Sequence, residues 1–320
     1  MKRLDFLDAM RAIAALSVVV QHVFMPYEAF ANFTTTYIQL GVFGVTVFFL
    51  CSGFIITASV EKYSQPVFWT RRFFRLYPLY FFSLIMAVLL GHPTTTKIFI
   101  ADIFMVGKLF AEPTIGAYWT LTLELVFYIT ISILFLAGIT RHAIRLTLGI
   151  LLLAVLYAIF LGKSSGIVFY FSTFFVGTVF YRYYSGQVSI KTAVFVLLAG
   201  IAAILLITSN TLLKESSPSS LGTHNFLPVT NAWIGSYVLF FGALFLSRVP
   251  SFVAYLGKIS YSIYLMQSII QWVIPEHYIF TRLFLTILVS ALTYHYIENP
   301  YINLSKTFNV SSFLEPSRLK

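Results

Sequence analysis

The apolar stretch from Asp8 to Met25 carries Arg11 and His22 within it, and no other feature constrains the chain so strongly. A run of this length and apolarity reads as one membrane helix. At about 100° per residue, the steps from Arg11 to His22 end roughly 20° past three full turns and about 16 Å along the axis. Both side chains therefore share one face, half a bilayer apart. Ionisable groups inside a span are costly, turn toward the protein interior and mark functional pathways. Imidazole is also the side chain that exchanges protons near neutral pH.

The rest of the chain agrees with a membrane setting. Of 320 residues, 59% are hydrophobic and only 10% charged, against about 25% charged in a soluble domain. The apolar runs do not alternate, so the expected class is an all-α, polytopic integral membrane helix bundle rather than a barrel. Ten spans are expected, near residues 9–27, 37–60, 76–91, 117–138, 144–161, 166–184, 191–208, 227–247, 253–275 and 279–298. An even number places both termini on one side. Sixteen of the 21 Lys and Arg residues then fall on that side, so the termini are expected to be cytoplasmic. The formal charge of +10 is thereby read as a topology signal, not as a nucleic-acid surface. A cleaved leader over Met1 to Ala31 is the competing reading; Asp5 and Asp8 argue against it.

No internal repeat is visible, and residues 1–320 read as a single membrane domain with no appended soluble one. The outer loop at 92–116 holds a stretch from Lys97 to Lys108 that suits a short interfacial helix, and 209–226 has the composition of a flexible linker. Cys51 stands alone, which excludes an internal disulfide and argues against a cysteine metal site. No metal is expected. His92, His142, His224, His277 and His295 fall in loops or near span ends, where solvated histidines are ordinary.

Several polar groups remain to be explained. In the second span Gly41 and Gly44 permit close helix packing, and Ser52 precedes Gly53 and Phe54. Arg71, Arg72 and Arg75 cluster on one side of a helix and could clamp phosphates, although charge alone favours a topology and lipid-anchoring role. Trp119 and Thr120 open the fourth span, and Glu124 and Tyr128 follow. A carboxylate at that depth needs a proton, a cation or a donor; His22 and Arg11 are the available partners, with depth favouring His22. Ser260, Tyr264 and Gln267 form a polar stripe beside Tyr261, which interhelical hydrogen bonding would explain. Glu298, just before Asn299 and Pro300, is expected to pair with an arginine of the basic cluster, and Pro300 to stop the last helix.

Taken in order, these stretches resemble the membrane-bound acyltransferase 3 family. The matching pieces are the opening Arg3-Leu4-Asp5 with Arg11 and His22, Ser52-Gly53-Phe54, the basic cluster through Tyr77-Pro78, Trp119-Thr120-Leu121 with Glu124 and Phe127-Tyr128, Gly257 to Tyr261 with Tyr264-Leu265, and the Tyr, Glu and Pro ending. Thr120 stands where the family has Ser, and Gln267 where it often has His. The resemblance implies acyl transfer, most often acetyl, from acyl-CoA on the cytoplasmic side of a bacterial inner membrane to a hydroxyl of a glycan or lipid-linked saccharide. It implies Arg71, Arg72 and Arg75 as phosphate ligands and His22 as base or acyl carrier. Glu124 would orient the ring, and Arg11 would hold donor or helix geometry. Ser52, Trp119, Tyr128, Ser260, Tyr261, Tyr264 and Glu298 are expected near substrate or as structural polar groups. Acyl-CoA would be a co-substrate, with no permanently bound cofactor; the partners are that donor, the saccharide and membrane lipids, with the oligomeric state open. A transporter of an anionic or glycolipid substrate and an acyltransferase acting on a small molecule are the alternatives.

Overall fold

The computed structural model describes residues 4–161, 166–214 and 226–307. Among these residues every regular element is helical: α1 (Asp5–Phe24), α2 (Glu28–Thr36), α3 (Leu40–Lys62), α4 (Gln65–Leu89), α5 (Thr96–Ile103), α6 (Tyr118–Leu136), α7 (Ala143–Leu161), α8 (Gly166–Tyr184), α9 (Ile190–Lys214), α10 (Leu227–Ala243), α11 (Ser251–Lys258), α12 (Ser260–Val273), α13 (Ile279–Thr293) and α14 (Asn299–Thr307). The protein is an all-α membrane helix bundle. Among the described residues, seven helical segments are long and apolar enough to cross a bilayer, and each of the ten expected spans corresponds to a helix or a pair of consecutive helices.

The differences from the expected boundaries have local causes. The third span begins at Gln65, not near 76, because Pro66 is tolerated in a first turn; the basic cluster therefore lies within α4, with Pro78 inside it. The ninth is split at Ile259 into α11 and α12. The last helix passes through a π turn at Tyr294–Glu298 and continues as α14. Pro300 thus sits in a first turn, where its missing N–H is not needed, and does not end the helix. The expected linker over 209–226 starts late, since α9 runs to Lys214; residues 215–225, including His224, lie outside the described residues.

α3 is the central helix, packed against α1, α6, α8 and α10. The approach is close because glycine leaves room: a Cβ on Gly44 would lie 2.4 Å from Ala14 O, and one on Gly53 only 1.9 Å from Phe174 O. Around this contact Phe49, Phe54, Phe127 and Phe174 form a buried aromatic core. Gln21 of α1 receives the Leu40 N–H at 2.9 Å, supplying the first turn of α3 with an acceptor. Buried Arg282 donates to the carbonyls of Gln271 and Ile274, closing the C-terminal end of α12, where cationic donors are favoured.

The loop expected to hold a short interfacial helix contains a short helix, α5, followed by a single turn at Gly107–Leu109. Asp102 is buried in it and accepts the Thr114 N–H at 2.8 Å through Oδ2. Tyr77 and Tyr80 of α4 donate to the carbonyls of Ile103 and Asp102, and Thr122 of α6 to that of Met105. Burial pushes the Asp102 carboxyl above the usual carboxylate range.

Candidate active site

Two cavities lie at opposite ends of the face that Arg11 and His22 share. The first, of about 280 Å³, is lined by Arg11, Arg71, Arg72, Arg75, Ser52, Glu124, Tyr128, Tyr261 and Tyr264. The second, of about 900 Å³, is lined by His22, Gln21, His92, Trp119, Tyr264, Gln271 and Trp272. Val45 and Tyr264 line both. Arg11 and His22 of α1 thus line different chambers, as their axial separation requires.

The three arginines converge on the first cavity, and each is held differently. Arg71 lies over the Tyr63 ring, 4.0 Å from its centre, a favourable cation–aromatic geometry. Arg72 donates to Ser59 Oγ at 2.7 Å. Arg75 pairs with Glu298 at 2.5 Å, as expected, and Ser262 donates to the other Glu298 oxygen at 2.8 Å. Glu298 is buried, so this pairing removes most of the cost of enclosing its charge. Tyr261 anchors α12 to α4 by donating to Leu76 O at 2.9 Å. At this cavity and its wall, polar contacts from the ninth span therefore come from Tyr261, Ser262 and Tyr264. Ser260 plays no such part, because its buried hydroxyl has no partner.

Glu124 belongs to the arginine cavity. Its Oε1 accepts from Ser52 Oγ at 3.0 Å and from Tyr128 OH at 2.5 Å. The expected pairing with His22 is not formed. Glu124 follows the opening turns of α6 and turns toward α3, while His22 stands in the last turn of α1, so the two carry different surroundings.

His22 is exposed within the second cavity. Its Nδ1 lies 3.2 Å from Gln267 Oε1, and the same oxygen accepts from Gln271 Nε2 at 2.9 Å. With the Gln267 oxygen facing the ring, Nδ1 is the nitrogen that donates and Nε2 is the one that presents a lone pair. A base oriented by an acceptor behind it is the arrangement general-base chemistry needs. Here the acceptor is a neutral amide on α12. His92 is not a solvated loop residue: its ring packs 4.3 Å from that of Trp272, its Nδ1 is buried without a partner, and burial pushes its imidazole below the ordinary value.

The wall between the chambers is built on Tyr264. Its hydroxyl contacts Thr120 Oγ1 at 2.9 Å and donates to Ala117 O at 3.1 Å, and its ring meets Phe48 edge to face at 5.5 Å. Trp119 stands on the far side, against Tyr170 at 5.3 Å. Gln271 and Ser262 were not singled out from the sequence. Gln271 follows Gln267 at helical spacing, which was the available signal; Ser262 gave none apart from its nearness to Ser260.

The chain is similar to Acyltransferase MdmB of Streptomyces mycarofaciens, with 33% identity over 147 residues, an alignment covering 40% of this chain and 38% of that protein. The match thus spans well under half of the relative's length. No solved structure matches the chain. The acyltransferase 3 family model, described as an acyltransferase domain, matches residues 4–300, and the chain belongs to that family.

Proposed function

We propose that the protein transfers an acyl group, most simply acetyl, from a cytoplasmic acyl-CoA to a hydroxyl of a saccharide presented on the opposite side of a bacterial inner membrane. The observation that carries this reading is the pairing of a cationic cavity with a histidine cavity across one shared wall, Val45 and Tyr264. The arginine cavity suits the phosphates of CoA, because guanidinium groups bind them with charge-assisted, geometrically matched bonds. The larger chamber, with Trp119, Trp272, Gln21 and Gln271 around His22, offers aromatic faces and neutral polar groups to a polyhydroxylated acceptor. In the transfer, the acceptor oxygen attacks the thioester carbon as His22 Nε2 takes its proton. The carbon–sulfur bond then breaks, and the leaving thiolate receives that proton. Gln267 holds the ring through Nδ1, while Glu124, Ser52 and Tyr128 shape the donor side.

The test is transfer of label from radiolabelled acetyl-CoA to envelope glycan by purified protein in liposomes, for wild type and His22→Ala. Label in glycan from wild type alone supports the reading. Full transfer by a correctly folded His22→Ala protein overturns the role of His22. Transport without chemistry would release no free CoA.

A further inference from the structure

We propose that Lys306 is a further donor-binding residue, and that α14 forms the wall of the anion cavity against which the nucleotide phosphates of acyl-CoA rest. This depends on the reading above that the cavity receives acyl-CoA. Lys306 lies beyond the segment the family model matches, which ends at residue 300.

Ile302, Ser305 and Lys306 line the first cavity; at spacings of three and four they occupy one face of α14. The helix is fixed in place by packing on α4 and on the π turn, with the Tyr301 ring stacked on that of Phe74 at 6.1 Å. Continuation through Pro300 is what brings this face to the cavity. A chain that stopped at the proline would leave that side open.

The charges around the cavity are unequally committed. Arg75 is neutralised by Glu298, Arg72 is tied to Ser59 and Arg71 is laid on Tyr63. Lys306 is exposed, and its Nζ donates to the neutral Oδ1 of Asn303 at 2.8 Å. Like Arg71 and Arg72, and unlike Arg75, it can therefore meet an anion without breaking an ion pair. Its position also matches the polarity of the ligand. The thioester has to approach the wall at Val45 and Tyr264, which line both cavities, whereas Ile302, Ser305 and Lys306 line the first alone and so meet the part of the donor that stays in it.

An exposed ammonium contributes modestly, so the expected change is a three- to tenfold rise in KM for acetyl-CoA, roughly one charge-assisted contact in water. The experiment measures KM and kcat in liposomes with acetyl-CoA and with its analogue lacking the 3′-phosphate, for wild type, Lys306→Ala, Lys306→Arg and Asn303→Ala. Lys306→Ala should raise KM with kcat within twofold, Lys306→Arg should restore it, and Asn303→Ala should leave it unchanged. A smaller preference for the 3′-phosphorylated donor in Lys306→Ala places the contact on that phosphate; an unchanged preference with raised KM places it on the diphosphate. A KM within twofold of wild type in Lys306→Ala, or an equal effect from Asn303→Ala, overturns the proposal. A wild-type protein that does not consume acetyl-CoA or longer acyl-CoA overturns the underlying reading instead, and this proposal with it.

Discussion

Gln267 Oε1 lies 3.2 Å from Nδ1 of His22 and also accepts from Gln271 Nε2 at 2.9 Å. The second bond matters because it orients the amide, and the amide in turn sets which ring nitrogen is free. Gln267→Leu, which retains bulk in a buried position but removes the acceptor, is expected to lower kcat roughly 10- to 100-fold through misplacement of the base, with KM for the donor unchanged. Steady-state kinetics with the donor varied separates the two. Loss confined to KM would show that Gln267 does not act through His22.

Arg75 and Glu298 form the other decisive contact, 2.5 Å apart with the carboxylate fully buried and the arginine side chain 20% exposed. Removing one partner leaves a charge enclosed without its counterion, at a cost of about 3–5 kcal/mol in a fully buried pair. The partial exposure of Arg75 reduces this to about 1–3 kcal/mol for Glu298→Ala. The double variant Arg75→Met with Glu298→Met should recover most of the lost thermal stability in detergent. A double variant no more stable than the single one would refute the pairing as the cause.

What could be read in the chain, and what could not, follows from the range of the interactions concerned. Helix identity depends on local apolarity, so it was legible even where a boundary such as the start of α4 at Gln65 was not, as was the convergence of Arg71, Arg72 and Arg75, which helical spacing alone brings together. The Arg75 and Glu298 pair was legible because two unlike charges near one membrane face have few other partners. The partner of His22 was not, since it depends on how α12 rotates against α1, and a carboxylate at suitable depth on α6 was the more obvious candidate. The course of the chain past Pro300 was hidden for another reason: proline suits a first turn as well as it suits a stop.

Glu124 receives hydroxyl hydrogens from both Ser52 and Tyr128. Truncation to alanine strands two hydroxyl groups in a largely enclosed place and is expected to cost about 1–3 kcal/mol. Glu124→Gln retains an oxygen that can accept both bonds and should recover most of that loss. Thermal unfolding of the purified variants measures the difference. Equal destabilisation by both substitutions would show that the charge, not the acceptor, is what the site requires.

Asp102 ties the loop between α4 and α6 through the Thr114 N–H, with its carboxyl pushed up by burial. The unfolded chain loses this proton near pH 4, while the folded protein keeps it to higher pH. Between those points the native state binds more protons, so stability falls as pH rises and levels off above the raised value. Asp102→Asn keeps an acceptor for Thr114 and cannot ionise, so this part of the decline should vanish. Amide exchange across 102–114 at several pH values checks it; an identical pH dependence in wild type and Asp102→Asn would contradict the assignment.

Tyr264 lines both cavities, and its hydroxyl is tied to Thr120 Oγ1 and Ala117 O. On the proposed function, a wall in this place would have two effects: it would give way for the acyl group to reach the acceptor, and when closed it would separate the thioester from the polar chamber around His22. Weakening it should therefore let water compete with the acceptor, since exclusion of water is what protects a reactive acyl group. Tyr264→Phe keeps the ring against Phe48 and loses only the two polar ties, so a small rise in acceptor-independent CoA release is expected. Tyr264→Ala removes the wall and should raise that release about tenfold or more, equivalent to 1.4 kcal/mol or more of the barrier, while lowering the fraction of acyl groups delivered to the acceptor. A thiol-reactive dye reports free CoA with and without saccharide. If Tyr264→Ala loses transfer with no gain in hydrolysis, the ring positions the acceptor rather than separating the two chambers.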